Sequence, residues 1–441
     1  MPVVQTPVPP DQPIHALLAP FGRFGVELGL ERIQRLLGAL GNPQARVPIV
    51  HVAGTNGKGS VCAYLAAVLQ AAGYRVGRYT SPHLVSWRER ITINNAPIQT
   101  QDLINRLHQV VAAIDPDQPS PTQFEVFTAA AWLHFAASEV DLAVMEVGLG
   151  GRLDATNVVD APLVSVITSL SREHWQRLGP TLADIAGEKA GVLKAERPAV
   201  IGLLPPEAAA VVKARIAALN CAAVWVNPAV PVGNGLARYG SGDEAITYPL
   251  ALLGEHQLLN SAVAIAALHR LRQQGWAISD QAIVQGMGQT RWPGRLQWVT
   301  WGHDATHYPL LIDGAHNPAA AEVLRHYVDR WWASQSGATG GTAWLMGMLA
   351  TKDHRDILTA LLRPGDTLHL VPVPGHETAP PQDLAAIARS VCPALAHCEI
   401  HDSLHAGLTA LSSTPASLKV LCGSLYLIGH FLATESYQTP S

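Results

Sequence analysis

Charge is scarce in this chain. Asp, Glu, Lys and Arg make up 15% of its 441 residues, and the formal net charge is -4. No run of Lys or Arg stands out, which argues against a broad surface for nucleic acid or anionic membrane. Cysteine is also sparse. Cys62, Cys221, Cys392, Cys398 and Cys422 are scattered, odd in number and without a C-x-x-C pair. That pattern excludes a disulfide framework or a cysteine-rich zinc module and suits free thiols in a reducing compartment. Long apolar runs are missing too. The most apolar late stretch, Val420 to Ala433, is interrupted by Gly423, Gly429 and His430, short of the roughly 18 residues of a membrane span. The opening MPVVQTPVPPDQP has neither a basic segment nor an apolar core, so it does not read as a signal peptide. A cytoplasmic protein is expected.

Core material is plentiful, with 48% hydrophobic residues. A chain of this length exceeds one comfortable core, so two domains are expected. Residues 1–13 read as a flexible proline-rich tail. A helical pattern over Leu28–Leu40 ends at Gly41-Asn42-Pro43. Apolar strand-like runs (Ile49–Ala53, Leu142–Val147, Leu163–Thr168, Ala199–Leu203) then alternate with helix-like segments (Val61–Ala72, Gln101–Ala113, Phe127–Ser138, Thr181–Lys194). Strands apolar at nearly every position, separated by helices, indicate a mainly parallel sheet covered on both faces. Residues 221–249 are more polar, with paired β-like pieces around Gly233-Asn234-Gly235, and Leu258–Gln274 reads as a helix.

A second α/β alternation follows Arg295: strands at Leu310–Ile312, Ala343–Met348, Leu368–Val373 and Leu418–Leu421, helices at Ala319–Trp331 and Leu384–Ser390. The turn Arg291–Arg295 is the natural boundary, dividing the chain into 1–296 and 297–441. Ser334–Thr342 reads as a flexible Ser/Gly/Thr loop.

The sharpest chemical signal is HVAGTNGKGSVCAYL, His51 to Leu65. A buried strand runs into a glycine-rich turn, and a helix begins near Ser60. Glycines let successive backbone N–H groups converge on a phosphate, the helix N-terminus adds positive potential, Lys58 neutralises charge and Ser60 can ligate Mg²⁺. Gly59 between Lys58 and Ser60 departs from the strict G-x-x-x-x-G-K-[ST] pattern. The bland reading is an ordinary strand-to-helix turn; strand, Lys, Ser and helix in order weigh against it. Glu146 ends an apolar strand just before Gly148, Gly150 and Gly151, a place from which a carboxylate can hold Mg²⁺ directly or through water.

GTNGKGS (Gly54, Thr55, Asn56, Gly57, Lys58, Gly59, Ser60) resembles the phosphate loop of the Mur-ligase superfamily. With SPHL (Ser81–Leu84), RERI (Arg88–Ile91), TQFE (Thr122–Glu125), EVGLGGRLDATN (Glu146–Asn157), EKAG (Glu188–Gly191), GEHQLLN (Gly254–Asn260), PGR (Pro293–Arg295) and DGAHNP (Asp313–Pro318), the chain resembles the folylpolyglutamate synthase / dihydrofolate synthase branch.

The resemblance implies a P-loop ATP- and folate-binding α/β domain and a smaller Rossmann-like C-terminal domain. The implied reaction is ATP-dependent addition of L-glutamate to dihydropteroate or the glutamyl tail of reduced folates. It would run through an acyl phosphate and release ADP and phosphate, with closure of the C-terminal domain excluding water. Mg²⁺, two ions by resemblance, would be held by Ser60, Ser81, Glu146 and His174. The family usually has Asp before that His; here Glu173 stands there. Lys189 would be carbamylated, becoming an anion. A lysine must lose its proton to react with CO₂, which burial or cationic neighbours favour. Glu188 would oppose this if it pointed inward.

Gly54–Ser60, Asn260, Arg295 and Asp313 are the implied nucleotide contacts, with Lys58, Lys189 and His316 catalytic. Thr122, Gln123, Phe124 and Glu125, with Leu153, Asp154 and Ala155, are the implied folate contacts; Phe124 either stacks on a flat heterocycle or packs in the core. Lys352-Asp353 matches a family pair, but Thr351 replaces the usual acidic residue. A monomer is expected, with small-molecule substrates and neither nucleic acid nor membrane as partner. Two rivals stand beside this reading: another amino-acid ligase of the superfamily, and a non-catalytic nucleotide-binding protein on the same fold.

Overall fold

The computed structural model describes residues 12–22, 29–242, 245–303, 306–335 and 341–439. Most of the expected tail, residues 1–11, lies outside these, as do Leu28 and positions 336–340 of the Ser/Gly/Thr loop. Gln12 and Pro13 are not tail. They open the helix Gln12–Leu18, anchored by buried Ile14 and Leu18.

The chain divides into two compact units. One comprises Pro10–Ala251 and His256–Trp292, the other Leu252–Glu255 and Pro293–Ser441, so the contacts change allegiance at 292/293.

The larger unit is built on eight strands: β1 (Ile49–Ala53), β2 (Val76–Tyr79), β3 (Ile91–Ile93), β4 (Ala96–Pro97), β5 (Leu142–Glu146), β6 (Val164–Ile167), β7 (Ala199–Ile201) and β8 (Ala223–Trp225). Their order is β4-β3-β2-β5-β1-β6-β7-β8. All pairings from β2 to β8 are parallel, while β3 and β4 add antiparallel to the β2 edge. Every residue of β1, β5 and β6 is buried, as a sheet covered on both faces demands. The helix Lys58–Ala71 is buried from Ser60 to Leu69, which explains why its sequence is apolar all round rather than striped. A satellite sheet, β9 (Val230–Gly233), β10 (Leu236–Tyr239) and β11 (Ile246–Pro249), is antiparallel. Asn234 and Gly235 join β9 to β10 with φ of 51° and 71°, the left-handed pair that a two-residue hairpin turn needs.

The smaller unit carries β12 (Gln297–His303), β13 (Thr306–Ile312), β14 (Ala343–Met346), β15 (Thr367–Leu370), β16 (His397–Ile400), β17 (Lys419–Cys422) and β18 (Tyr437–Gln438), in the order β16-β15-β14-β17-β13-β12-β18. β16 through β13 are parallel; β12 and β18 are antiparallel. Several elements go beyond those expected from sequence, among them the helices His354–Leu361 and Leu425–Thr434. β12 extends the sheet beyond the expected strand by pairing with β13 along seven residues; β16 is a half-exposed edge; and the helix Leu404–Ser413 covers one face.

Candidate active site

β1 delivers the chain into Gly54, and the helix starts at Lys58, two residues earlier than its sequence suggests. Gly57 is the N-cap at φ 85°; a methyl group there would sit 2.4 Å from Asn260 Oδ1. Only glycine fits both the backbone and the space. A short cluster of hydroxyls holds the turn. Thr168 Oγ1 and Ser169 Oγ both donate to the Asn56 carbonyl, at 2.7 and 3.0 Å, and Thr55 N–H donates to Ser169 O at 2.7 Å. These groups sit just beyond β6, next to β1 in the sheet, so strand order brings them together. Lys58 Nζ lies back over its own loop, donating to the carbonyls of Gly54 and Thr55, each at 3.1 Å.

A second cation points at the same loop. Lys189, in the helix Leu182–Ala190, is 4% exposed and donates from Nζ to Gly54 O at 2.7 Å. Burial, reinforced by Lys58, pushes its pKa down to about 7, with Glu173 and Asp154 pulling the other way. Glu188 takes no part: it pairs with Arg152 at 2.7 Å. Glu146 is buried at the end of β5, and its Oε2 accepts from Ser81 N–H at 3.2 Å. Ser60 is buried in the first helical turn, its Oγ accepting from Gln257 Nε2 at 3.3 Å. Two hydroxyls and a buried carboxylate are the hard oxygen donors Mg²⁺ prefers, so Ser60, Ser81 and Glu146 fit that ion chemically. His174 fits less well, being a nitrogen donor. It adopts φ 53°, its side chain is 46% exposed, and its Nε2 stands 3.9 Å from Glu173 Oε1.

The structure gives the TQFE and LDATN segments local occupations. Thr122 and Glu125 form a capping box: Thr122 Oγ1 accepts from Glu125 N–H at 3.2 Å, and Glu125 Oε2 accepts from Thr122 N–H at 2.7 Å. Glu125 also pairs with Arg32 at 3.1 Å. This cap starts the helix Gln123–Ala137 four residues before the expected start. Gln123 reaches Leu18 O at 3.4 Å. The Phe124 ring lies over Gly148, where a methyl would come within 2.4 Å of Cζ, and packs partly against the core. Asp154 is buried, and burial raises its pKa. Its Oδ2 accepts from Leu149 N–H at 2.8 Å, and its Oδ1 accepts from the Thr156 N–H and hydroxyl at 3.0 and 2.6 Å. His51 on β1 contacts the Thr156 hydroxyl at 2.8 Å. Asp154 therefore ties the glycine-rich 148–156 loop to the central strand. Ala155 joins the core, and Leu153 is half-buried.

In the smaller unit, β13 ends at Ile312, and Asp313 is 8% exposed. Its two oxygens accept from Leu296 N–H and Ala315 N–H, both at 2.8 Å. Burial raises its pKa against the opposing pull of Arg295. His316 Nδ1 contacts Gly314 O at 2.7 Å. Asn317 caps the helix Pro318–Ser334 by accepting from Ala320 N–H at 2.8 Å. Lys352 and Asp353 precede the helix His354–Leu361.

Three residues around the loop were not singled out from sequence. Gln257 is one turn before Asn260 on the helix His256–Gln273 and hydrogen-bonds to both it and Ser60; the i, i+3 spacing inside GEHQLLN was the available signal. Trp292 lies against Gly59. Arg78, 8% exposed, sits 5.1 Å from the Trp292 ring.

Known proteins resemble both halves of this arrangement. Residues 52–268 match the Mur ligase middle domain and residues 297–434 the dihydrofolate synthetase C-terminal domain. The chain is 40% identical over 329 residues to a dihydrofolate synthase/folylpolyglutamate synthase of Bacillus subtilis, covering 71% of this chain and 74% of that one. It is 36% identical over 414 residues to a folylpolyglutamate synthase of Lacticaseibacillus casei, covering 90% and 92%. A solved structure of Mycobacterium tuberculosis folylpolyglutamate synthase complexed with ADP superposes with a TM-score of 0.82 at 29% identity, covering 97% of this chain and 99% of that one. The chain belongs to the folylpolyglutamate synthase / dihydrofolate synthase family and is an acid–amino-acid ligase of the Mur type.

Proposed function

We propose that this enzyme joins L-glutamate to dihydropteroate, to the glutamyl tail of reduced folates, or to both, using ATP and passing through an acyl phosphate. The observation that carries the reading is the grouping of Lys58, Lys189 and the 54–57 backbone on one glycine turn. The names of the relatives support both acceptors. We assign residues 1–296 to ATP and folate binding and 297–441 to the glutamate-ligase part. Gly54–Ser60 and Asn260 would hold the phosphates. Arg295 and Asp313 would contact nucleotide from the smaller unit's turn, with His316 catalytic beside them.

Lys58 would leave its two loop carbonyls to follow charge developing on the transferred phosphoryl group, where a fixed cation counts most. Ser60, Ser81 and Glu146, with His174, would hold Mg²⁺, which when bound neutralises phosphate charge. On the acceptor side Gln123, Phe124, Leu153 and Ala155 would form contacts. Thr122, Glu125 and Asp154 would join these contacts while also shaping their segments. Lys189 is proposed to carry a carbamate: a buried amine with a pKa near 7 has a substantial unprotonated fraction at neutral pH, which is the form that attacks CO₂. A monomer in the cytoplasm completes the reading; among the described residues no helix is long and apolar enough to cross a membrane.

The test is direct. Purified protein with Mg-ATP and glutamate is offered dihydropteroate or tetrahydrofolate, and products are weighed by mass spectrometry. A mass gain of one glutamyl unit on either is expected. Failure with both, alongside turnover of a different carboxylate, refutes the assignment.

A further inference from the structure

On the edge of the smaller unit's sheet, three side chains unrelated to the nucleotide turn converge. His369 lies on β15, and Glu399 is its register partner on β16. His401 follows two residues after Glu399, the spacing that puts both on one face of an extended chain. His369 Nδ1 stands 3.0 Å from His401 Nε2 and 3.7 Å from Glu399 Oε2, and His401 Nε2 is 3.9 Å from that same oxygen. Among the described residues this is the one group of three or more His, Cys, Asp or Glu side chains with ligand atoms close enough to share an ion.

His369 Nε2 stands 3.0 Å from Thr414 Oγ1, which donates to Ala410 O at the same distance. With Thr414 accepting from Nε2–H, Nδ1 is the nitrogen left for an ion shared with His401 and Glu399. Such a second partner, fixing tautomer and ring, is what metal-ligating histidines have. His369 is 2% exposed, so packing holds its ring in place.

We propose that His369, His401 and Glu399 form a binding site for one divalent cation of the zinc class, separate from the Mg²⁺ chemistry of ATP. Tetrahedral ligands at about 2.0–2.1 Å from zinc lie about 3.3 Å apart, and the three observed separations bracket that spacing. Two imidazoles and a carboxylate select zinc, cobalt or nickel over magnesium. Glu399 is 53% exposed, so water completes the fourth position. The ion clips edge strand β16 to β15.

The probe is Co²⁺, titrated into the full-length, chelator-stripped protein in excess Mg²⁺. One equivalent should give the intense visible absorption of a tetrahedral ion, displaced by Zn²⁺, and Zn²⁺ should raise the melting temperature. His401→Asn should abolish the band. The exposed Glu399→Gln, whose fold is not at stake, should weaken Co²⁺ binding at least about tenfold. No band in the wild type overturns the site, leaving a plain His–His hydrogen bond. A band that Glu399→Gln and His401→Asn leave unchanged places the ion elsewhere and equally overturns it.

Discussion

Two strand-to-helix turns, one in each unit, share a plan and use it in opposite ways. At 53–58 the helix begins behind Gly57, a residue with no side chain to cap it. The surrounding hydroxyls and both lysines act on loop carbonyls, while the N–H groups of Thr55 and Asn56 bond to Ser169 O and Oγ. At 312–318 the helix begins behind Asn317, whose side chain caps it, with Pro318 removing a further donor. There Asp313 accepts two backbone N–H groups and fixes its own turn. The first turn has no side-chain cap and gathers two lysines on its carbonyls; the second is capped by Asn317 and tied down by Asp313. Equivalent positions at the C-terminal ends of parallel strands thus predict different responses to substitution.

The largest separation comes from Lys58→Ala. Phosphate release coupled to glutamylation should fall by at least about 10²–10³, with the melting temperature nearly unchanged because Lys58 is part-exposed and bonds only to its own loop. Activity within about threefold of wild type would remove this turn from the chemistry.

Lys189 offers a graded test. Its folded-state pKa is lowered to about 7 from an ordinary 10.5, so above pH 7 the amine is largely neutral and able to take up CO₂. Below pH 7 it is protonated and unreactive. Bicarbonate should therefore activate the enzyme more at roughly pH 8 than at roughly pH 6. The same depression makes stability rise with pH between about 7 and 10.5, where the unfolded chain holds the proton and the folded one does not. Activation independent of bicarbonate at both pH values would leave an ordinary lysine. So would failure of acetate to rescue Lys189→Ala.

Asp313→Asn should act first on stability. The amide can accept from one of the two N–H groups, and its own NH₂ then faces the other. Leaving a buried donor unsatisfied costs about 1–3 kcal/mol, read as a lower urea midpoint or melting temperature. Smallest is Asn317→Ala, worth about 1 kcal/mol of helix capping, with a melting shift of a few degrees. Should Asp313→Asn instead leave stability intact and abolish ATP turnover alone, the contrast between the two turns collapses.

The larger unit's central strands were legible because they are apolar at nearly every position and punctuated by glycine and proline. Ile49–Ala53 was read to the residue. The smaller unit was harder. Gln297–His303 sets Trp298 beside Val299 and so lacks a clean alternation, and its partner extends through Pro309, which reads as a breaker. In the site, glycine-rich turns advertise themselves, but hydrogen-bond assignments do not. The sequence places Thr122, Glu125 and Asp154 among the folate contacts; the side-chain oxygens of all three also bond within their own segments. A capping box and a substrate contact use the same residue types, and T-x-x-E is itself the capping pattern. The His369–Glu399–His401 group was invisible because pairing of β15 with β16 creates it.

The hydroxyl bonds from Thr168 and Ser169 to Asn56 have a kinetic corollary. A loop already ordered in the free protein has little conformational entropy left to lose when a nucleotide arrives. Association can then proceed as lock-and-key docking rather than by waiting for a rare loop conformer, so the on-rate should follow diffusion and ionic strength more than loop rearrangement. Cutting the stitch with Thr168→Val and Ser169→Ala would convert the same cradle into a conformational-selection binder, its apparent affinity reduced by the fraction of time the loop spends closed.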